Sequence, residues 1–432
     1  MVREVKVGII GFGTVGTGVA SCLLNNGEVI ARRTGVRPVL SKIADIDITI
    51  PRGLNVAPEI LTTSADELIE SVDVVVELVG GTTAAKEFIL KALKKGKPVV
   101  TANKALLALH GEEIFYAAEK SKADIYYEAS VCGGIPIIKI LKEGLVGNRI
   151  EKIYGIMNGT CNYILTKMDA DKKSFEYSLA EAQRLGYAET NPTLDVDGHD
   201  TAHKAAILAS LAYGEWFGVK PIYVEGIRNI NQEDVRFASQ LGYHLKLLAI
   251  IKQEDDDVQI RVHPTLIPEH SLLANVTDVF NAVMLKGHPV GEALYYGRGA
   301  GRDATASAVV ADLVDVALNL KFGSHRRVPS FKIGKQFRNL ISMDEIVCRY
   351  YFHLKVLDKP GVMAKVTSVF GNLEISISSI IQREKNESDI ENVSLLIVTH
   401  PAKEKQVREA VNELSRIEFI NKKITIIRIE DI

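Results

Sequence analysis

The stretch VKVGIIGFGTVGTGVASCLL constrains this chain most. A β-branched apolar run ends in Gly11-Phe12-Gly13-Thr14-Val15-Gly16 and continues as a helical pattern. Glycine at the first position permits a tight turn. At the second it lets the backbone approach a pyrophosphate, and at the third it lets helix and strand pack closely. The phosphates then sit at the helix N-terminus, where free N–H groups and the dipole favour negative charge. A lone GxGxxG is weak evidence, but here strand, loop and helix follow in the required order. Gly11, Phe12, Gly13, Thr14, Val15 and Gly16 therefore predict a bound dinucleotide; a glycine turn of structural use only is the competing reading. The second strand, VRPVLSKIADID, offers Arg37, Lys42 and Asp45 together, so it does not choose between NAD and NADP.

The pattern of short β-branched runs and helical runs repeats from Val5 to about Val131. VKVGII, DVVVEL, KPVVTA and ADIYYEA read as buried strands. TTAAKEFILKALKKG and KALLALHGEEIFYAAEKSK read as amphipathic helices between them. Such alternation predicts right-handed βαβ crossovers and a parallel α/β sheet over residues 1–131. From 132 to about 340 the pattern changes. Helical segments (SFEYSLAEAQRLG, DTAHKAAILASLAYG) precede β-like stretches (HLKLLAIIKQ, VQIRVHPTLI) split by the acidic turn EDDD. That mix predicts an α+β substrate and dimerisation domain. RDATASAVVADLVDVALNL reads as a long helix, over about 302–320, that returns to the first domain. After the loop GSHRRVPSFKIGKQ the chain restarts. YYFHLKVL, GVMAKVTSVFGNL, ISISSIIQRE, ENVSLLIVTH, AKEKQVREAVNELSR and KKITIIRIE give the βαββαβ order of a ferredoxin-like unit over 350–432.

With 432 residues, two or three domains are expected, and a net charge of −2 argues against nucleic acid or an acidic membrane surface as partner. Cys22, Cys132, Cys161 and Cys348 form no CxxC pair and read as buried thiols of a reducing compartment. No segment reads as a signal peptide or a membrane span, so a cytoplasmic location is expected.

The remaining charged signal is NPTLDVDGHDTAHK, residues 191–204. His199 and His203 are four apart, as in HExxH zinc sites, but Asp200 stands where that motif needs its glutamate. Solvated histidines at a helix start are the simpler reading. Asp200 and Lys204 share a helix face. A surface ion pair is the bland account of them. However, the turn-forming loop before them would bring Asp195, Asp197 and Asp200 to one helix mouth. Several carboxylates beside one ammonium suit a site that holds a cationic amino group and donates a proton.

Ala182-x-x-x-Gly186-Tyr187-Ala188-Glu189-Thr190-Asn191-Pro192-x-x-Asp195-Val196-x-Gly198-x-Asp200-x-x-x-Lys204 resembles the signature of homoserine dehydrogenases, with every spacing intact. TANK (Thr101 to Lys104), EASVCGGIPII from Glu128 and GRGAGRDATASAVVADL from Gly297 resemble further blocks of that family. The C-terminal unit resembles an ACT-type amino-acid-sensing domain, with Asp358-Lys359-Pro360-Gly361-Val362 at its first strand–helix loop. The chain thus resembles the monofunctional form, with no kinase domain ahead of the dehydrogenase.

This resemblance implies reversible reduction of L-aspartate 4-semialdehyde to L-homoserine by NADH or NADPH. It makes Lys204 the proton donor, aided by Asp200 and Lys104. Glu189, Asp195, Asp200 and Lys104 would hold the substrate, while Asp197 is left as a turn or capping residue. Lys104, Gly186 and Gly301 would join the glycine loop at the cofactor. If the two ammoniums lie close together, each should depress the other's pKa. The block from Glu128 resembles a monovalent-cation site, with Glu128, Val131, Gly133 and Ile135 offering oxygens to Na⁺ or K⁺; a structural glycine turn is the alternative. Feedback through an amino acid at the loop 358–362, threonine first, and a homodimer or tetramer are also implied. Deleting residues from about 350 onward should then leave catalysis intact. A catalytically silent sensor, or a dehydrogenase of another amino acid, would differ in lacking activity on homoserine.

Overall fold

A computed structural model describes residues 2–325, 327–331, 334, 338–383, 392–420 and 423–432. Parts of the loop GSHRRVPSFKIGKQ, and Glu384, Glu391 and Lys422 at the ends of strands read from sequence, lie outside the described residues. No described helix is long and apolar enough to cross a membrane.

The first sheet contains β1 (Arg3–Ile10), β2 (Val36–Ala44), β3 (Leu61–Thr62), β4 (Val74–Glu77), β5 (Val99–Thr101) and β6 (Ile125–Tyr126). All are parallel, in the order β3-β2-β1-β4-β5-β6, the doubly wound arrangement expected of the pattern. The chain reverses its direction of travel across the sheet between β1 and β4, which opens a crevice at their carboxyl ends. β4 is buried throughout, so its unbroken Val-Val-Val run has no polar face to show. Helix Thr14–Thr34 leaves the glycine loop and packs against helix Arg302–Phe322. A Cβ on Gly18 would lie 2.8 Å from Arg302 Cγ and 3.1 Å from Ala306 Cβ, so glycine sets how closely those helices meet.

The second sheet is continuous through both remaining parts of the chain. Its strands run Gly291–Arg298, Phe280–His288, Arg149–Ile156, Tyr243–Glu254 and Asp257–Pro268, each antiparallel to the next. The EDDD turn closes the hairpin between the last two, with Asp255 at φ 51°. Asp257–Pro268 then pairs in parallel with Thr425–Ile429, the final strand of the chain (Thr265 beside Arg428, Leu266 beside Ile429). From there the order continues through Val347–Leu357, Asn392–Thr399 and Ile377–Gln382. With helices Val362–Asn372 and Glu404–Leu414, this completes the βαββαβ unit. The C-terminal unit therefore lends an edge strand to the sheet before it. Removing residues from about 350 onward would uncover Arg261, Thr265 and Leu266, all buried in the intact chain.

Candidate active site

The three glycines behave differently, and each difference has a cause. Gly11 has φ 101°, and a Cβ there would fall 2.7 Å from the Leu78 carbonyl at the end of β4. Gly16 is barred from a side chain by the Gly11 oxygen at 2.0 Å. Gly13 has nothing within 4 Å of its would-be Cβ, so the backbone here is open to close approach. The Phe12 N–H donates to Asp45 Oδ2 at 2.5 Å, which ties the tip of β2 to the loop. Arg52, with no signal in the sequence reading, lies 3.4 Å from Asp45 and over the Phe12 ring. Arg37 pairs with Glu4 and Glu28, and Lys42 pairs with Glu67, so neither is free at this tip.

At the end of β5, the Thr101 hydroxyl donates to Glu77 Oε2 (2.7 Å) and accepts from the Asn103 N–H (3.0 Å). Asn103 caps helix Lys104–Ser121 by accepting from the Leu106 N–H. Lys104 is thereby fixed at the first helical position. There the helix dipole disfavours a cation, and Asp200 Oδ1 at 3.1 Å offsets this.

Asp200 arrives on helix His199–Tyr213, which Gly198 opens at φ 86°. One turn later Lys204 Nζ donates to Asp200 Oδ2 (2.7 Å) and to the Met157 carbonyl (2.5 Å). Asn158 completes the cluster. Its Oδ1 caps helix Gly159–Ala170 through the Cys161 N–H, while its Nδ2 donates to Asp195 Oδ1 (2.6 Å) and Asp200 Oδ2 (2.9 Å). Nothing in the sequence singled out Asn158; an Asn ahead of a helical run is the cue that could have placed it.

Burial alone would raise the Asp200 carboxyl, but Lys204 and Lys104 outweigh it and hold the group well below the ordinary range. Burial opposes the Lys204 charge too, yet Asp200 beside it keeps the ammonium above its ordinary value. The depression of Lys204 expected from a neighbouring ammonium is not what the structure gives, because the Asp200 carboxylate stands between the two lysines. Asp195 is raised, chiefly by burial.

These groups line one cleft of about 510 Å³. Lys104, Asn158, Glu189, Asp195, Asp200 and Lys204 form one wall, and Gly186 and the 298–301 turn form its rim. Asp197 points away and pairs with Arg228. His199 is exposed, and no cluster of His, Cys, Asp and Glu fit for a metal occurs among the described residues.

Behind the cleft, Glu128 is buried and accepts from the backbone N–H groups of Ile138 (2.9 Å) and Lys139 (2.8 Å). Burial pushes its carboxyl up to about 7. Val131 and Ile135 are buried beside it, and the Ile135 carbonyl accepts from the Ile137 N–H. A Cβ on Gly133 would meet the Gly299 carbonyl at 2.7 Å, which locks this turn to the rim of the cleft.

Comparisons with known proteins agree along the whole chain. Residues 11–128 match the family model described as homoserine dehydrogenase, NAD binding domain; residues 136–314 match homoserine dehydrogenase; residues 353–419 match the ACT domain. The homoserine dehydrogenase of Neisseria gonorrhoeae is 42% identical over 100% of this chain and 99% of its own length. The crystal structure of the Thiobacillus denitrificans homoserine dehydrogenase superposes with a TM-score of 0.93 at 42% identity, covering 99% of each chain. A hyperthermophilic archaeal homoserine dehydrogenase solved in complex with NADPH covers 75% of this chain and 100% of its own, with TM-score 0.62 and 30% identity. With a Rossmann-type crevice, a lysine–carboxylate cleft beside it and these relatives across its full length, the chain belongs to the homoserine dehydrogenase family.

Proposed function

We propose that Lys204 is the group that exchanges the proton in the interconversion of L-aspartate 4-semialdehyde and L-homoserine. The nicotinamide cofactor supplies or accepts the hydride. As the hydride reaches the aldehyde carbon, the C=O π pair moves onto oxygen, which then takes a proton from Lys204 Nζ. Met157 and Asp200 occupy two of the three ammonium N–H bonds, leaving the third for that oxygen. Asp200 holds Lys204 in place, while Glu189 and Asp195 take the substrate's ammonium and Lys104 closes the cleft toward the cofactor. The observation that carries this reading is the buried Asp200–Lys204 pair, with half-exposed Lys104 on its other carboxylate oxygen, opening on the cleft. Mixing the protein with homoserine and NAD⁺ or NADP⁺ should raise absorbance of the reduced cofactor; no rise with either ends the proposal.

The glycine loop, with Gly186 and Gly301 at the cleft rim, is the proposed cofactor seat. Asp45 suits ribose hydroxyls and Arg52 suits a 2′-phosphate, so these two side chains read the 2′ position. Initial rates with both cofactors in Arg52→Ala test this: only the NADP rate should fall. For a monovalent cation, Glu128 supplies charge, and the carbonyls of Val131, Gly133 and Ile135 supply hard oxygens. A cation there would serve structure, and a rise in melting temperature with Na⁺ or K⁺ that Glu128→Gln abolishes would support it.

The ACT domain takes an amino-acid effector at the exposed loop 358–361, with threonine as the first candidate. Pairing of two chains into a dimer or tetramer fits such a unit. Four free thiols among the described residues fit a reducing cytoplasm.

A further inference from the structure

Asn281, on strand Phe280–His288, has 1% of its surface exposed, and its Oδ1 has no hydrogen-bond partner among the described residues. Natural proteins seldom leave a buried amide oxygen without a donor, and do so where a ligand completes the set. The residue lines the same cleft as Lys104, Asp200 and Lys204.

Its surroundings fix which way the amide faces. The carboxamide lies within hydrogen-bonding reach of the Cys132 thiol, just beyond the last strand of the parallel sheet. The Gly299 backbone closes over it; a Cβ on Gly299 would fall 2.0 Å from Nδ2. Glycine at 299 thus exists to admit this amide. Asn281 is wedged between the Rossmann unit's final turn and the loop that starts helix Arg302–Phe322. The nicotinamide half of a dinucleotide lies at that side of a doubly wound sheet, over the carboxyl ends of its later strands.

Among the groups that substrate and cofactor bring to the cleft, donors for Oδ1 are few. The substrate's ammonium has better acceptors in Glu189, Asp195 and Asp200 across the cleft. Its carboxylate and aldehyde carry no N–H. The primary amide of the nicotinamide does carry one. Resting on the dehydrogenase reading above, we propose that Asn281 Oδ1 accepts a hydrogen bond from the nicotinamide carboxamide and so is a positioning residue for the ring.

Cofactor binding to the full-length protein, measured by titration calorimetry, tests this without turnover. Two probes suffice: the natural oxidised cofactor and its 3-acetylpyridine analogue, in which a methyl group replaces the amide nitrogen. The wild-type protein should bind the natural cofactor about tenfold tighter. Asn281→Ala should weaken the natural cofactor by about that factor and leave the analogue unchanged, so the ratio collapses to about one. Asn281→Asp, which keeps an acceptor oxygen, should retain part of the preference. A wild-type protein that binds both equally overturns the assignment, whether or not either variant folds. So does an Asn281→Ala effect confined to homoserine KM, which would give the oxygen to the substrate. Wild-type oxidation of homoserine, assayed alongside, separates the two proposals: its absence removes the dehydrogenase reading, whereas its presence with an unchanged ratio removes only Asn281's role.

Discussion

Among the charged clusters of the described residues, two use the same residue types for opposite ends. One is the Lys104–Asp200–Lys204 group with Asn158 and Asp195. The other lies at the seam between Asp257–Pro268 and Thr425–Ile429. There Glu430 takes Arg261 and Lys252 (2.6 Å), while Arg428 bridges Glu404 (2.5 Å) and Glu225 (2.8 Å). Tyr223 and Tyr350 add hydroxyl contacts to Glu225 and Glu404. Burial raises Glu430 and Glu404, but the cations beside each outweigh it and hold both below the ordinary range. Every charge at the seam is answered by another side chain. In the cleft, an ammonium N–H, a raised carboxyl and an amide oxygen are left over. Closure suits the seam to structure, and the surplus suits the cleft to the chemistry proposed for it.

The sharpest way to break that contrast is to remove one ammonium from the cleft. Lys204→Ala should lower kcat by about 10³-fold with the fold retained, since the cavity opens to solvent. A second measurement, the pH profile of the wild type, follows from the same pair. Lys204's ammonium is held above its ordinary value, so the stability and the proton it supplies are fully present below an ordinary lysine's pKa. They are lost only as pH rises through the higher folded value. Asp200's carboxyl is depressed, so its contribution is present above an ordinary aspartate's pKa and lost as pH falls through the lower folded value. Aldehyde reduction should therefore keep its proton donor across neutral and mildly alkaline pH; a loss of rate near pH 7 that vanishes in Lys204→Arg would contradict the triad's geometry.

At the seam, Arg428→Ala should cost about 3–5 kcal/mol of stability, because buried Glu404 would keep only the half-exposed Arg408 and Glu225 would lose its cation. Chemical denaturation measures this. A catalytic effect should accompany it. Glu225 adjoins Gly226, where a Cβ would lie 2.2 Å from the Val196 oxygen, and the Ile227 N–H donates to that same oxygen at 2.7 Å. Val196 stands between Asp195 and Asp197. Loosening the seam therefore loosens the loop that carries Asp195, and homoserine KM should rise more than kcat falls. A stability loss with KM unchanged would show the two clusters to be independent.

What the sequence disclosed follows the same division. The cleft is built largely from one stretch: Asp200 and Lys204 are one turn apart, and Glu189 and Asp195 lie just upstream, so all four fall inside one family signature. The glycine loop is equally local. Arg428 and Glu225 are 203 positions apart, and Tyr154 and Glu430 are 276 apart. No periodicity reports a pairing of that kind, and so the fusion of two sheets into one was invisible. Asn158 and Asn281 escaped for another reason. A single asparagine carries no pattern; only its unmet or shared hydrogen bonds, visible once the strands are placed, mark it out. The pKa of Lys204 was misjudged because the order ammonium–carboxylate–ammonium is a property of space and not of spacing.

The smallest expected effect is at the far end of β2. Arg37 lies 3.0 Å from Glu28 and 4.0 Å from Glu4, with 41% of its side chain exposed. A surface pair of this kind contributes roughly 0–1 kcal/mol, and salt screens it. It lies at the opposite end of the strand from Asp45, so Arg37→Ala should leave cofactor KM within about twofold and stability within about 0.5 kcal/mol. The same cofactor titration in Arg52→Ala supplies the contrast. If Arg37→Ala were the one to lower affinity for NADP, the crevice would have to read the 2′ position from the wrong end of β2, and the placement of the cofactor over Gly13 would fall with it.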